Sequence, residues 1–205
     1  MEDPNSKPKS VEERTAEILM GPPKEVYDAL KNVKGRWRDI VTRKRPDGTE
    51  EVVEETPWSS NMIVQGMSVA LAALMKGDPN FAGGIRYHAV GRGLAAWDPL
   101  PTPPTPLASD VSLVDEYFRK APTAISYLDP LGVPVPGPTK SILVQTVLDY
   151  TEANGMAGEY IREQGIFCGQ ATAVLNSGTM VNLIYHVAKW KNNKVKITRY
   201  INFIF

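Results

Sequence analysis

Alternating apolar and polar residues fill the last third of this chain, and this pattern constrains the fold more than any other feature. Ser141 to Thr151 and Tyr160 to Cys168 each form a strand-like run, separated by the turn-forming sequence Glu152-Ala153-Asn154-Gly155. We predict that Met180 to Lys191 and Lys194 to Phe205 form a β-hairpin about Asn192-Asn193. The apolar residues of the last run lie mostly at alternate positions, namely Val195, Ile197, Ile201, Phe203 and Phe205. Because an exposed INFIF terminus would aggregate, we expect it to be buried in a sheet or an interface.

A second hairpin is predicted over residues 35–56. Arg36 to Lys44 and Thr49 to Thr56 flank Arg45-Pro46-Asp47-Gly48, a strong turn sequence. One face of the first strand would carry Trp37, Asp39, Val41 and Arg43. The first strand is also basic (Arg36, Arg38, Arg43, Lys44, Arg45) and could touch nucleic acid, but the second is acidic (Glu50, Glu51, Glu54, Glu55). We therefore expect the charges to cancel by cross-strand pairing.

Two short helices are predicted in the middle of the chain. The first runs from a cap at Ser60 or Asn61 to Lys76 and ends at Gly77, with Ile63, Met67, Ala70, Leu71 and Leu74 at helical spacing. The second covers Ser109 to Lys120, capped by Ser109 or Asp110, with Leu113, Val114, Tyr117 and Phe118 on its apolar face. Strands are predicted over residues 84–93 and 123–128.

Proline and glycine are unusually frequent, at 17 and 16 of 205 residues. They concentrate in residues 99–106, which we expect to be an extended spacer, and in residues 129–138, a candidate protruding loop. Residues 1–30 are predicted to be an arm with a helical stretch from Val11 to Met20. The arm either lies on its own domain, residues 31–205, or grips a neighbouring subunit.

The composition excludes several classes of function. Lys and Arg together number 23, as do Asp and Glu, so the chain lacks the basic excess that is typical of a nucleic-acid-binding protein. A single cysteine, Cys168, excludes an internal disulfide or a cysteine zinc cluster. No apolar run approaches the roughly 20 residues of a membrane span, and the polar start MEDPNSKPKS does not resemble a signal peptide.

Few residues are available for catalysis. His88, His186 and Cys168 could in principle form a Cys-His nucleophilic site, but no local motif supports it, and we expect two sheet histidines and a buried thiol. The turn His88 to Gly93 could cradle a phosphate, although it lacks the usual glycine spacing. Glu159 and Glu163 flank Arg162 and suggest a structural ion network. Arg162 and Glu163 should point to opposite faces, so that only one reaches a given partner. We therefore predict no catalytic, cofactor-binding or metal-binding residues and no cofactor.

An ordered set of motifs resembles structural proteins of tailed bacteriophages, of the tail, tail-fibre or collar-fibre kind. The set comprises a Gly-Arg-Trp hairpin with a Pro-Asp-Gly turn, Asn61-Met62-Ile63-Val64, the HAVGRG strand end at 88–93, a Pro/Thr spacer, LVDEYFRK at 113–120 and IREQGIF at 161–167. The resemblance covers residues 35–205. Unlike the collar-fibre proteins, in which the IRE module commonly precedes a long fibre, this sequence has only two more strands after that module.

From these residues we expect a β-rich α+β fold, an antiparallel β-sandwich with two short packed helices and an extended or helical N-terminal arm. The resemblance implies a non-enzymatic virion protein of the tail, baseplate or neck, or a fibre-attachment adaptor, assembled in the bacterial host cytoplasm. Its partners would be other copies of itself, in a ring or trimer, and other phage tail, neck or fibre proteins, without nucleic acid or membrane. The alternative is a carbohydrate- or receptor-binding module that uses exposed aromatic residues, namely Trp58, Trp97, Tyr127 and Trp190.

Overall fold

Two antiparallel β-sheets packed face to face form the domain in the computed structural model, which describes residues 33–100 and 102–205. Sheet A has the strand order β2-β1-β12-β9-β7-β8, with β3 paired to β1, and sheet B has the order β4-β11-β10-β5-β6. The strands are β1 (Lys34–Lys44), β2 (Glu50–Glu55), β3 (Ser59–Ser60), β4 (Met62–Ile63), β5 (Ile85–Gly91), β6 (Glu116–Lys120), β7 (Ala124–Leu128), β8 (Pro134–Val135), β9 (Ser141–Leu148), β10 (Glu159–Cys168), β11 (Thr179–Lys191) and β12 (Val195–Ile204). One α-helix, α1 (Gly66–Lys76), and a 3₁₀ turn (Ala95–Trp97) complete the described elements.

The hairpin predicted over residues 35–56 is confirmed. β1 and β2 pair in antiparallel register, and the turn between them closes through Gly48 N–H to Arg45 O at 3.0 Å. Gly48 has a φ of 85°, a left-handed conformation that glycine adopts at no steric cost. Charges on the two strands pair as predicted, with Arg38 bound to Glu55 and Arg45 to Glu51.

The interior between the sheets consists of rows of side chains that cross the strands of sheet A. In one row Trp37 pairs with Ile201, which pairs with Val144. In another row Val41 pairs with Ile197, which pairs with Leu148. The second row belongs to an apolar cluster that also takes residues from sheet B, which shows that the sheets enclose one core. That cluster comprises Val41, Val90, Leu148, Ala153, Ile161, Val195 and Ile197.

The outer face of sheet B is covered as well. Helix α1 packs on β11, and a second apolar cluster forms there from Val64, Ala89, Leu113, Phe167, Ala171, Met180 and Leu183. Both faces of sheet B are therefore buried, which explains why eight consecutive residues of β10, from Ile161 to Cys168, are buried. A strand buried on both faces lacks the simple alternation of a half-exposed strand.

The helix predicted over Ser109 to Lys120 is wrong. The structure has an irregular segment followed by strand β6, Glu116–Lys120, which pairs with β5 at the edge of sheet B. The apolar spacing fits a helix locally, but pairing with β5 buries Glu116 and Arg119 as an ion pair and overrides that preference. The described residues thus contain one of the two predicted helices.

The remaining helix begins later than predicted. Residues 59–60 and 62–63 add short strands to sheets A and B, and α1 begins at Gly66, so Ser60 and Asn61 do not cap it. Its predicted end is confirmed, since Gly77 terminates α1 in a left-handed conformation with φ of 73°.

The predicted hairpin of the last two strands is also wrong. β11 belongs to sheet B and β12 to sheet A, so the turn at Asn192-Asn193 is a corner between the sheets. β12 alternates between buried and half-buried residues over most of its length, whereas β11 has five consecutive buried residues. Neither pattern reveals which partner a strand takes. The predicted arm, residues 1–30, lies outside the described residues.

Candidate functional site

A buried carboxylate on the outer face of sheet B holds two loop segments in place. Glu163 is fully buried on β10, and its Oε1 accepts hydrogen bonds from the backbone N–H groups of Gly93 (3.1 Å) and Asp115 (2.7 Å). Its Oε2 accepts a third from Val114 N–H at 2.9 Å. Burial raises the pKa of Glu163, and the three N–H donors counteract that rise.

Arg162 anchors the same segment from the neighbouring position. Its Nη1 donates to Arg92 O at 3.0 Å, and its Nε and Nη2 donate to the two carboxylate oxygens of Asp98, each at 2.7 Å. Arg162 and Glu163 therefore both bind the segment from Arg92 to Asp98, but through different groups of that segment. A β-bulge between Ile161 and Glu163 breaks the strict alternation of side chains.

The turn from His88 to Gly93, which we considered as a phosphate-binding loop, binds the carboxylate of Glu163. A Cβ on Gly91 would lie 2.3 Å from Glu163 Oε1, so the backbone approaches the carboxylate at a distance that only glycine permits. Arg92 pairs with Glu159 at 2.7 Å and more loosely with Asp115 at 3.4 Å. The ion network predicted among Glu159, Arg162 and Glu163 is not formed as such: Glu159 pairs with Arg92, Arg162 pairs with Asp98, and Glu163 binds backbone N–H groups.

Three of the motifs that carry the phage resemblance therefore meet at one carboxylate. The HAVGRG turn supplies Gly93, the LVDEYFRK segment supplies Val114 and Asp115, and the IREQGIF strand supplies Glu163. Together these hydrogen bonds hold the loop between β5 and β6 on sheet B.

A polar layer crosses the middle of the sandwich. On sheet A, Asp39, Arg199 and Thr146 lie side by side on β1, β12 and β9, and each is buried. From sheet B the buried side chains of His186 and Gln164 face this row. Arg199 Nη2 donates to Asp39 Oδ2 at 3.2 Å and to His186 Nε2 at 3.1 Å. Charged and polar groups thus occupy the row between two apolar rows.

The hydrogen bonds determine the protonation of both histidines. Since a guanidinium only donates, His186 Nε2 accepts from Arg199, and Nδ1 carries the proton donated to Val187 O at 2.8 Å. Burial and the charge of Arg199 hold the pKa of His186 well below its usual value and lower that of His88 to about 3. Both rings are therefore neutral at physiological pH, with His88 Nε2 bonded to Gln164 Oε1 at 2.9 Å.

This layer is incompletely paired. Asp39 Oδ1, Arg199 Nε and Nη1, Thr146 Oγ1 and Gln164 Nε2 are buried without a hydrogen-bond partner among the described residues. Burial raises the pKa of Asp39, and Arg199 opposes that rise. The alternation of apolar residues did not predict the layer. Its signals in the sequence are Arg199, which lies at an inward position between Ile197 and Ile201, and Asp39, which shares a strand face with Trp37 and Val41.

The third candidate residue, Cys168, lies elsewhere, on the wall of an apolar cavity of about 410 Å³ at one end of the sandwich. The cavity lies between α1 and the sheets and is lined by Met67, Ala70, Leu71, Leu74, Gly84, Ile85, Ile125, Ser126, Tyr127, Ile142, Cys168, Val181, Phe203 and Phe205. Burial raises the pKa of the Cys168 thiol to about 12, so a reactive thiolate is disfavoured. Phe203 is fully buried as expected, whereas the terminal Phe205 is 41% exposed.

The aromatic residues of the binding-module alternative are scattered. Trp58 lies under the guanidinium groups of Arg36 (4.7 Å) and Arg38 (5.4 Å), and Trp190 packs on Tyr160 with ring centroids 4.7 Å apart. Trp58, Tyr127 and Trp190 are 38–44% exposed. Trp97 is half-buried against Tyr185, so the expectation that it is exposed is wrong.

Metal-binding clusters, membrane-spanning helices and similarity to known proteins were also considered. Among residues 33–100 and 102–205, no group of three or more His, Cys, Asp or Glu side chains is arranged to hold a metal ion. Within the same residues no helix has the length and apolarity needed to cross a membrane. Comparisons of the chain with protein-family models and with curated proteins find no match.

Proposed function

We propose that this protein is a non-enzymatic structural component of a tailed-phage virion, in the tail, baseplate or neck or as a fibre-attachment adaptor. It works through contacts with other copies of itself, in a ring or trimer, and with other virion proteins. The convergence of three resemblance motifs on Glu163 supports this proposal, because it makes the motifs parts of one structural unit.

The observation that carries the proposal is an ordered loop that displays apolar side chains. In the loop between β7 and β8, Asp129 Oδ1 accepts hydrogen bonds from the N–H groups of Leu131 and Val133, both at 2.8 Å. Gly132, with φ of 85°, completes the turn. Leu131 is 88% exposed and Val133 is 54% exposed. A loop held in one conformation with its apolar side chains in solvent loses little entropy on binding a protein partner.

Self-association of the purified full-length chain tests the contact. We expect light scattering to show an oligomer that weakens or dissociates in the Leu131→Ser/Val133→Ser variant, with the control Val174→Ser, another exposed apolar loop position, unchanged. Removal of residues 1–30 separates a contribution of the arm from that of the loop. A wild-type chain that stays monomeric up to millimolar concentration would contradict self-assembly through this loop.

The virion assignment needs its own experiment. Particles purified from a phage-producing culture that encodes this chain should contain it in stoichiometric amounts by mass spectrometry. Immunogold labelling should place it on the tail or neck. Its absence from intact particles would exclude a virion role even if the purified chain oligomerises.

A carbohydrate- or receptor-binding module is the second candidate. The exposed Tyr160–Trp190 pair favours it, because aromatic rings beside the Arg162–Asp98 ion pair combine apolar faces with polar groups. A glycan array and tryptophan fluorescence titrations would detect binding, and Trp190→Ala should abolish it. Binding that survives Trp190→Ala would exclude this surface.

A further inference from the structure

Lys191, at the end of β11, has its amine against the side-chain amide of the half-buried Asn154. Lys191 is fully buried, and Nζ lies 2.7 Å from Asn154 Oδ1 and 3.1 Å from Asn192 O. Within the described part of the chain, no carboxylate forms an ion pair with Lys191. Both hydrogen-bonding partners of the amine are therefore neutral oxygens.

Such surroundings lower the pKa of the amine and so increase its neutral fraction. A buried ammonium without a counter-charge is costly, so the group tends to lose its proton. Burial lowers the pKa of Lys191 to about 8, although the negative charges of Asp149 and Glu152 oppose that shift. A desolvated neutral lysine amine is a good nucleophile near neutral pH.

The carboxamide of Asn154 is held in position beside this amine. Its Nδ2 donates to Tyr150 O at 2.6 Å, which directs Oδ1, and with it the carbonyl group, toward Lys191. The preceding residue, Ala153, is buried in the apolar core with a left-handed φ of 53°, and its carbonyl accepts a hydrogen bond from Tyr117 at 3.0 Å. The carboxamide of Asn154, whose carbon is the electrophile in the reaction proposed below, is therefore held beside the amine by an ordered turn.

We propose that Lys191 and Asn154 form an intramolecular amide cross-link. The lone pair of Nζ forms a bond to Asn154 Cγ, the Cγ–Nδ2 bond breaks, and ammonia leaves. One proton of the amine passes to the departing nitrogen. Nothing is oxidised or reduced, and no co-reactant is needed.

The position of the bond gives it a structural effect. Asn154 lies in the connection that leads from β9 in sheet A to β10 in sheet B, and Lys191 lies at the corner that leads from β11 back to β12. The cross-link therefore joins two of the chain segments that pass between the sheets. It resists separation of the sheets under load whether or not the virion assignment is correct.

The mass of the purified full-length chain tests the proposal. We expect a mass about 17 Da below that of the sequence, owing to the lost ammonia, and a tandem mass spectrum of a branched peptide that joins Asn154 to Lys191. Lys191→Met and Asn154→Ala should each restore the full mass, whereas the control Lys194→Met should keep the deficit. Asn154→Asp should form the same branched peptide by losing water.

The wild-type result is decisive even where a variant folds poorly. If folded wild-type protein incubated at pH 9, where the amine is largely neutral, retains its full mass and yields no branched peptide, the proposal is overturned. A mass deficit that persists in Lys191→Met would also overturn it, because the ammonia would then come from another residue.

Discussion

The substitution Arg199→Met removes the cation that balances Asp39 in the middle of the sandwich. Both side chains are fully buried, and their contact at 3.2 Å is the ion pair of the polar layer. Without Arg199, the folded chain either keeps an isolated carboxylate in the interior or binds one extra proton. Since an isolated buried charge costs far more than protonation, we expect the folded variant to bind a proton, on Asp39 or on His186.

The magnitude follows from unperturbed pKa values. Placing the proton on Asp39 at pH 7 costs about 4 kcal/mol, because the unperturbed pKa is about 3.9 and each unit corresponds to about 1.4 kcal/mol. Placing it on His186, with an unperturbed pKa of about 6.5, costs less than about 1 kcal/mol. We therefore expect Arg199→Met to lower the free energy of unfolding by about 1 to 4 kcal/mol at pH 7.

The pH dependence has a definite sign. The folded variant binds one more proton than the unfolded chain, so its stability falls as pH rises toward the folded pKa of the protonated group. Relative to wild type, the loss should grow by about 1.4 kcal/mol per pH unit between pH 7 and 8. Lower pH should restore stability, because the unfolded chain then takes up the same proton.

Urea unfolding followed by tryptophan fluorescence measures this, since the Trp37 ring lies 5.4 Å from the His186 ring. The double variant Asp39→Asn/Arg199→Met has no charge to balance, so its stability relative to wild type should not depend on pH over this range. The double variant should also recover much of the stability that Arg199→Met loses, because replacing both members of a buried ion pair often costs little stability. A pH-independent loss in Arg199→Met, or a pH-dependent loss in the double variant, would refute the reasoning.

Three further predictions concern other buried groups. Glu163→Gln should lower the free energy of unfolding, measured in urea, by about 1–3 kcal/mol and accelerate hydrogen exchange at the Val114 N–H. The reason is that the NH₂ group of Gln cannot accept the hydrogen bond that Val114 N–H donates to Glu163 Oε2, and unchanged exchange at Val114 would contradict this. Gly91→Ala should lower the thermal midpoint and the free energy of unfolding, the latter by about 1–3 kcal/mol, because the added Cβ would overlap Glu163. The control Gly137→Ala should have little effect, because a Cβ there meets open space. Cys168 should react with a thiol reagent at pH 8 only after denaturation, since burial raises its pKa to about 12, and rapid labelling of the native chain would show that the cavity admits the reagent.

The sequence alone determined most of the strands and several turns. The β1–β2 hairpin, the strands β5, β7, β9 and β10 and the glycine end of α1 follow from local rules, because alternation and turn chemistry act over a few residues. The burial of Cys168 and of both histidines was also predictable, since these side chains lie within strand patterns.

Tertiary structure alone decided which strands pair and which buried polar side chains contact each other in the interior. Residues 116–120 form a strand through pairing with β5 at the sheet edge. β11 and β12 are adjacent in sequence, yet they take partners in different sheets. The Asp39–Arg199 pair joins residues 160 positions apart, and Glu163 binds loops about 50 and 70 residues away. Local propensity carries no information about such contacts, because they depend on sheet order and on a bulge that the sequence pattern does not reveal.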